Sequence, residues 1–207
     1  MHLVEKLNMR KEQAAESRRS MLSAALALFA ENGYNATTVR SIHHKMGMKA
    51  GLLYHYFPGG KREILQVLVD ENREQIIAKL QSSFEGLDDS LPLEDTIEEI
   101  YQNWFRIFNE HRDIIKILLR ENQSLQLLER DKIAEIVNGG DNFLPKLLRQ
   151  RAERGEIREI DYISSAEILK AVLLHYFLAI ITSISSELLH DGEHRRRLLA
   201  YQVALWK

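Results

Sequence analysis

Five polar or basic side chains lie close together in the first third of the chain, and each can donate a hydrogen bond to a phosphate oxygen. They are Thr38, Arg40, Tyr54, His55 and Lys61. The first two fall where a short helix would begin, and a helix start adds unpaired backbone N–H groups and the positive end of the helix dipole. This spacing predicts a surface that contacts a nucleic-acid backbone.

Two short helices joined by a sharp corner would hold these side chains in place. Val39, Ile42 and Met46 share one face of a first helix of about two turns. Thr37 is placed to cap this helix, because its hydroxyl can accept a hydrogen bond from a backbone N–H that lacks a helical partner. Gly47 can adopt the left-handed conformation that the corner requires. The corner then leads into a second helix.

The second helix is predicted over residues 49–57, with Leu53, Tyr56 and Phe57 on its inner side. Its outward side chains are Lys49, Ala50, Leu52, Tyr54 and His55. The small Ala50 and Gly51 would allow close approach to DNA, and Leu52 could touch a thymine methyl group. Two helices joined by such a turn can lay the second one in the major groove.

From periodicity alone, two interpretations of this helix pair stay open. Under the first, the pair contacts DNA. The candidate contacts are then Thr38, Arg40, Lys49, Ala50, Gly51, Leu52, Tyr54, His55, Tyr56 and Lys61. Under the second, the same residues are the ordinary solvated surface of a small helical domain.

A longer pattern of residues runs through this region. Its members are Leu22, Ala24, Ala25, Leu28, Phe29, Glu31, Gly33, Tyr34, Thr37, Thr38, Val39, Ile42, Gly47, Gly51, Leu53, Tyr54, Tyr56, Phe57, Lys61 and Leu65. In order and spacing, residues 18–65 resemble the DNA-binding domain of the TetR family of bacterial transcriptional regulators. The resemblance implies a homodimeric repressor or activator with an all-helical ligand-binding domain.

Four positions depart from that family pattern. Lys49 stands where a capping Ser or Thr is usual, and Leu52 stands where a hydroxyl residue is common. His43 and Met46 each replace a small Ala, which predicts bulkier packing between the first two helices. These departures concern which DNA sequence is bound.

Charge divides the chain into a basic head and an acidic body. Residues 1–65 hold ten Lys and Arg against five Asp and Glu, whereas the remainder holds eighteen against twenty-five. Such a division favours contact of the head, and not the body, with phosphate.

The chain has no cysteine, and its start, MHLVEKLNMRKEQ, lacks the apolar run of a signal peptide. A cytoplasmic protein is therefore expected.

Apolar periodicity predicts an all-α chain. Residues 1–13 are expected to be frayed or only partly helical. The predicted helices are 12–32, the helix pair, 61–84, 91–109 with Ser90 as its cap, 112–119, a segment to 137, one ending near 154, 161–189 and 193–205. We predict a three-helix DNA-binding domain over residues 1–60 and a helical ligand-binding and dimerisation domain over 61–207.

The last two predicted helices are the candidate dimer interface. The helix over 161–189 is apolar around most of its circumference, which requires burial on several sides. Its longest apolar run, residues 171–184, is too short and too polar to span a bilayer. Pairing both helices with their symmetry mates would give a four-helix interface. Arg195, Arg196 and Arg197 are expected to form a solvated helix start.

Ten mostly aromatic residues of the body are candidates for a ligand pocket. They are Tyr101, Trp104, Phe105, Phe108, His111, Asn122, Phe143, Leu173, Tyr176 and Phe177. A largely apolar cavity with a few polar anchors suits a small molecule. The alternative is plain core, because aromatic side chains dominate protein cores.

No pattern in the chain predicts catalysis. Gly-x-Ser-x-Gly, His-Glu-x-x-His and phosphate-binding glycine loops are missing from the sequence. Neither a metal nor a cofactor is expected. The predicted function is a ligand-responsive regulator, most simply a repressor, that binds a near-palindromic operator as a homodimer and is released by a small apolar effector. Two alternatives stay open: a helical small-molecule-binding or chaperone-like protein that does not bind DNA, and a helical enzyme acting in the aromatic pocket. Drug-like and acyl effectors both remain open.

Overall fold

The computed structural model describes residues 2–47, 51–126, 143–182 and 192–207. Within these ranges the secondary structure is α-helical, without a strand, which confirms the predicted all-α class. The helices are α1 (His2–Asn32), α2 (Val39–Met46), α3 (Leu52–Tyr56), α4 (Gly60–Ser82), α5 (Leu93–Glu110), α6 (Arg112–Leu125), α7 (Phe143–Glu153), α8 (Tyr162–Thr182) and α9 (Gly192–Ala204).

Most helix boundaries fall within about two residues of their predicted positions, a normal uncertainty for helix ends. At the start of α8, the Asp161 carboxylate accepts hydrogen bonds from the backbone N–H groups of Ile163 and Ser164, at 3.1 and 3.0 Å. The predicted segment to residue 137, and the predicted end of α8 near residue 189, lie outside the described residues.

Outside the helix pair, one predicted helix start and one predicted cap are wrong. α1 begins at His2 instead of near residue 12, because residues 2–13 contain good helix formers and neither Gly nor Pro. Ser90 does not cap α5. Its own N–H and hydroxyl donate to the Asp88 carboxylate, and Pro92 occupies the N-cap position.

The described residues pack as two compact units. One comprises Met1–Glu74 with Asp113–Glu129, and the other comprises Gln75–Arg112 with Arg130–Lys207. The division falls inside α4, and α6 belongs with the N-terminal helices. The predicted boundary between the DNA-binding and the ligand-binding domain, at residue 60, lies at the start of α4. The division into these two functional domains stays a prediction.

In the first unit, apolar side chains from α1, α2, α3, α4 and α6 are buried. They include Met21, Ala25, Phe29, Ile42, Leu53, Phe57, Ile64, Leu65, Ile114 and Ile117. Residues from the inner sides of α2 and α3 therefore join the core that α1 and α4 provide.

The second unit is built on α5, which packs against both α8 and α9, while α7 packs on α8. Arg151 of α7 is 3% exposed, and its guanidinium donates to the Leu91 carbonyl, to the Thr96 hydroxyl and to the Glu156 carboxylate. A buried charge is tolerated when it is paired and hydrogen-bonded in this way.

A second ion pair joins α5 to α9. Arg195 donates through Nε and Nη2 to the two carboxylate oxygens of Glu98, at 3.1 and 2.7 Å. Its guanidinium also lies 5.5 Å from the centre of the Phe105 ring. Arg195 is therefore a packing residue, and the expectation of a solvated start to α9 is wrong for this side chain. Arg196 and Arg197 are exposed, as expected for a solvated helix start.

The surroundings of Glu98 lower its pKa. Burial alone would raise it, but the hydrogen bonds from Arg195 and Gln102 and the positive charges of Arg195 and Arg196 outweigh burial.

Among the described residues, no helix combines the length and apolarity needed to cross a membrane.

We predict that Glu98→Gln lowers the free energy of unfolding by roughly 1 kcal/mol at neutral pH, because a charge-assisted hydrogen bond is lost. Since the folded pKa lies below the unfolded value of about 4.3, this contribution is present above that pH. It disappears as the pH falls through the folded pKa. Urea unfolding across this pH range measures it, with Glu99→Gln on the same helix as the control. A difference between wild type and Glu98→Gln that did not change with pH would contradict the assignment.

Candidate nucleic-acid interface

The start of α2 is fixed by a reciprocal capping box. The Ser41 N–H donates to the Thr38 hydroxyl oxygen, and the Thr38 N–H donates to the Ser41 hydroxyl, both at 3.0 Å. Thr38, and not Thr37, is thus the cap. The Thr37 side chain is buried instead, and its hydroxyl lies within hydrogen-bond distance of the Leu28 and Gly33 carbonyls. The spacing alone could not choose between two adjacent threonines.

The corner after α2 has the predicted left-handed glycine. Gly47 has a φ of 64°, and its N–H donates back to carbonyls of the last turn of α2. Gly51 is also left-handed, at φ 102°, and caps α3. The predicted start of α3 near residue 49 is therefore wrong, because a helix cannot continue through a left-handed residue. Lys49 and Ala50 lie outside the described residues.

Leu53, Tyr54 and His55 of α3 lie on the predicted sides, whereas Leu52, predicted outside, and Tyr56, predicted inside, are equally half-buried. Leu53 is fully buried and Phe57, just beyond the helix, is 1% exposed. Tyr54 and His55 are exposed, whereas Leu52 and Tyr56 are half-buried. The Tyr56 ring meets the His55 ring edge to face, with 5.2 Å between the centroids.

Tyr54 rests on the turn that follows α3. A Cβ atom placed on Gly60, whose φ is 64°, would lie 3.3 Å from the Tyr54 ring. Glu63 supports the same turn by accepting a hydrogen bond from the Gly59 N–H at 2.7 Å. The turn therefore limits how far the Tyr54 side chain can move toward α4.

A shallow groove of about 510 Å³ lies beside α2. Its lining comprises Leu28, Thr38, Arg40, Ser41, His44 and Lys45. Arg40 and Lys45 are exposed, so the groove presents positive charge beside the first turn of α2. Phosphate contact by Thr38 and Arg40 stays a prediction that this arrangement allows.

Lys61, one of the predicted phosphate contacts, is half-buried. Its ammonium donates to the carbonyls of Tyr34 and Thr37, both at 2.9 Å, and lies 4.2 Å from the centre of the Tyr34 ring. An ammonium has three N–H donors, and two of them are used within the protein. The structure therefore gives Lys61 a bracing position between α4 and the turn before α2.

The candidate ligand residues divide into core and half-buried side chains. Tyr101, Trp104 and Leu173 are buried, and the Trp104 indole donates to the Ser83 hydroxyl at 3.2 Å. Phe105 and Phe108 are half-buried. For Tyr101, whose hydroxyl donates to the Leu169 carbonyl, the surroundings are those of a satisfied core residue.

Phe84, just beyond the end of α4, was not among the predicted pocket residues but contacts two of them. Phe84 stacks on Phe143 with 4.0 Å between ring centroids, and meets Trp104 edge to face at 5.8 Å. A sequence signal existed, since Phe84 continues the apolar stripe of α4. The structure thus brings Trp104 and Phe143 together through a third ring.

The polar candidates are less well defined. His111 is buried, and burial, followed by the nearby charge of Lys79, lowers the pKa of its imidazole. The side chains of Asn122, Tyr176 and Phe177 lie outside the described residues. A separate cleft of about 380 Å³ has a polar lining that includes Lys79, Asn103, Arg106 and Glu110. The ligand site therefore stays a prediction.

Comparisons with known proteins agree with the helix-turn-helix geometry. The profile described as "Bacterial regulatory proteins, tetR family" matches residues 21–68. The "Fatty acid metabolism regulator protein" of Bacillus subtilis (strain 168) is 27% identical over 139 residues, 67% of this chain and 70% of that protein. The "HTH-type transcriptional regulator LmrA" of the same organism is 38% identical over 74 residues, 36% of this chain and 39% of that protein.

Among solved structures, a TetR family transcription regulator from Marinobacter aquaeolei VT8 aligns with a TM-score of 0.62. The alignment has 18% identity and covers 95% of this chain and 98% of that one. It supports the fold over most of the chain, whereas the profile match is confined to the segment from α1 to α4.

We predict that Thr38→Ala and Ser41→Ala each destabilise the first unit by about 1 kcal/mol, because each removes half of the capping box. The double variant should lose less than the sum of the two losses, since the hydrogen bonds are reciprocal. Thermal unfolding of the four proteins measures this coupling. Strictly additive losses would contradict the capping box.

Proposed function

Since the chain is a DNA-binding transcriptional regulator of the TetR family, we propose that it acts in the cytoplasm as a repressor that binds a near-palindromic operator as a homodimer. A small, largely apolar effector releases it from the operator. The observation that carries the DNA-binding geometry is the orientation of α3, which buries Leu53 and exposes Tyr54 and His55.

In this proposal α3 enters the major groove and α2 lies over the backbone, as in other helix-turn-helix proteins. Arg40 and the Thr38 hydroxyl contact phosphate at the start of α2, where the helix dipole favours an anion. Tyr54 and His55 donate to phosphate or base edges. Lys49, Ala50, Gly51 and Leu52 are proposed to approach the bases.

The proposed homodimer forms through α8 and α9. The apolar residues Ile168, Leu174 and Leu178 of α8 and Leu198, Tyr201 and Leu205 near α9 are exposed. Both helices pack against α5. Exposed apolar side chains concentrated in this way are typical of an interaction surface. A second copy would cover this surface by two-fold symmetry, and the same symmetry would match a palindromic operator.

The effector is proposed to bind in the second unit, near the rings of Phe84, Trp104 and Phe143. Their apolar surfaces suit a hydrocarbon chain or an aromatic compound. The name of the Bacillus subtilis relative refers to fatty acid metabolism. We therefore propose an acyl compound before a drug-like one.

Release is proposed to act through α4, which contributes residues to both units. A continuous helix transmits a movement of one end to the other, because its backbone hydrogen bonds resist bending. Effector binding near Phe84 would thus shift the other end of α4, where Lys61 braces the turn before α2.

Duplex binding tests the assigned phosphate contact. We predict that Arg40→Gln weakens binding and reduces the slope of log affinity against log salt concentration by about 1, because one phosphate contact is lost. Arg112→Gln, which removes an exposed arginine from α6, is the matched control and should leave the slope unchanged. Equal slopes for wild type and Arg40→Gln would refute the contact.

The same titration tests the effector. Palmitoyl-CoA should release the wild-type protein from DNA if the acyl proposal holds, whereas coenzyme A alone should not. Release by an aromatic cation such as ethidium at concentrations that leave the duplex free of dye would favour the drug-like class instead.

A further inference from the structure

We infer that Arg120 and Glu121 of α6 are positioning residues for DNA binding, because Glu121 bonds to the turn that sets the start of α2 and Arg120 bonds to Glu121 and to the last turns of α1. The inference rests on the proposed contact of α2 and α3 with the operator. Neither residue is among the proposed DNA contacts.

The two side chains hold Phe29 near the end of α1 and Tyr34 just beyond it. The Glu121 carboxylate, 10% exposed, accepts a hydrogen bond from the Tyr34 N–H at 3.2 Å. Arg120 donates from Nε to the same carboxylate at 3.0 Å, and from Nη2 to the Phe29 carbonyl. These backbone groups belong to a helix end, where the helix itself supplies no complete set of partners.

Lys61 holds the same turn from α4. Its ammonium donates to the Tyr34 and Thr37 carbonyls. The peptide groups on both sides of Tyr34 are thus bound, the N–H by α6 and the carbonyl by α4. The Tyr34 ring lies between Lys61 and Phe29, 5.5 Å from the Phe29 ring centre. We call Tyr34, Lys61, Arg120 and Glu121 the Tyr34 clamp.

Gly33 is left-handed and lies within van der Waals distance of the clamp. Its φ is +90°, and a Cβ atom there would lie 3.5 Å from the Glu121 carboxylate and 3.6 Å from the Arg120 guanidinium. The turn therefore combines a left-handed residue with close approach of two charged side chains. Both features require a defined path of the backbone.

The clamp controls α2 through a short connection. Thr38, the cap of α2, follows Tyr34 by four residues, and Thr37 between them is buried and bonded to α1 and Lys61. A loosened turn would therefore allow α2 to shift, and α3 with it across the Gly47 corner. Even a displacement of about 1 Å is large compared with the tolerance of a well-built binding site.

Direct phosphate contact is the competing role for Arg120 and Lys61, and salt dependence separates the two roles. Removing a phosphate contact lowers the salt slope by about 1, whereas a positioning residue changes affinity at constant slope. Glu121 gives a second distinction, through the sign of its effect. Removing a carboxylate near DNA should strengthen binding by simple electrostatics, but loss of the clamp should weaken it.

The experiment uses the full chain and duplexes enriched from a random library by the wild-type protein. Glu121→Ala should weaken binding about tenfold, the effect of losing a hydrogen bond to a charged group, with an unchanged salt slope. Glu121→Gln, which keeps an acceptor for the Tyr34 N–H, should lose less. Arg120→Gln and Lys61→Gln should also weaken binding at constant slope. Asp113→Asn and Arg112→Gln are the matched controls on α6 and should bind like wild type.

Hydrogen exchange of the free protein supplies a readout that does not depend on DNA. In Glu121→Ala, exchange should become faster in the segment of residues 29–38 and stay unchanged in the segment of residues 97–107. Faster exchange in both segments, in Glu121→Ala and Glu121→Gln alike, would make the pair a general stability element and overturn the positioning role.

Two further results would overturn the inference. One is wild-type affinity and exchange in Glu121→Ala, and the other is a reduced salt slope in Arg120→Gln, which would make Arg120 a phosphate contact. Failure of the wild-type protein to enrich any duplex would count against the proposed operator binding instead. The exchange measurement would still decide whether the clamp holds the turn.

Discussion

The short length of α3 is the constraint on which the rest of the head depends. A helix of five residues has too few hydrogen bonds to be stable alone in water. Its conformation must therefore come from packing, which Leu53 and Phe57 provide by burial in the core of the first unit. The left-handed glycines Gly47 and Gly51 allow the backbone to enter and leave the corner without strain. Once these groups are fixed, the outward direction of Tyr54 and His55 follows.

The same dependence explains why so many hydrogen bonds converge on the turn before α2. α2 packs directly on α1, and its start is set by residues 33–38. The carbonyl groups of this turn accept from Lys61 and Thr37, and its Tyr34 N–H donates to Glu121. Arg120 donates to the Phe29 carbonyl, one helical turn earlier in α1. Charged donors and acceptors make stronger hydrogen bonds than neutral ones. The turn is therefore held by the side chains of α4 and α6 as well as by its own backbone.

The sequence was informative where local spacing determines structure, and less so where distant groups meet. Ile42, Leu53 and Phe57 could be assigned to the core from periodicity, and Gly47 to its left-handed corner from the turn it must make. Whether Thr37 or Thr38 caps α2 depends on a shift of the helix start by one residue, which the spacing of apolar residues does not determine. The Glu98–Arg195 pair and the Tyr34 clamp could not be predicted, because a charge on a helix surface does not indicate its partner on another helix. The contacts of Lys49 and Ala50 stay predictions.

The central claim is that two copies of α3 are held one helical turn of DNA apart. Because the chain has no cysteine, Arg62→Cys at the start of α4 can carry a single spin label in each copy. Pulsed electron paramagnetic resonance then measures the distance between the two labels. On DNA we predict that the distribution becomes narrow, because half-sites about 34 Å or a multiple of it apart fix the separation of the two copies of α3. No measurable interaction between labels, or an unchanged broad distribution on DNA, would contradict the account.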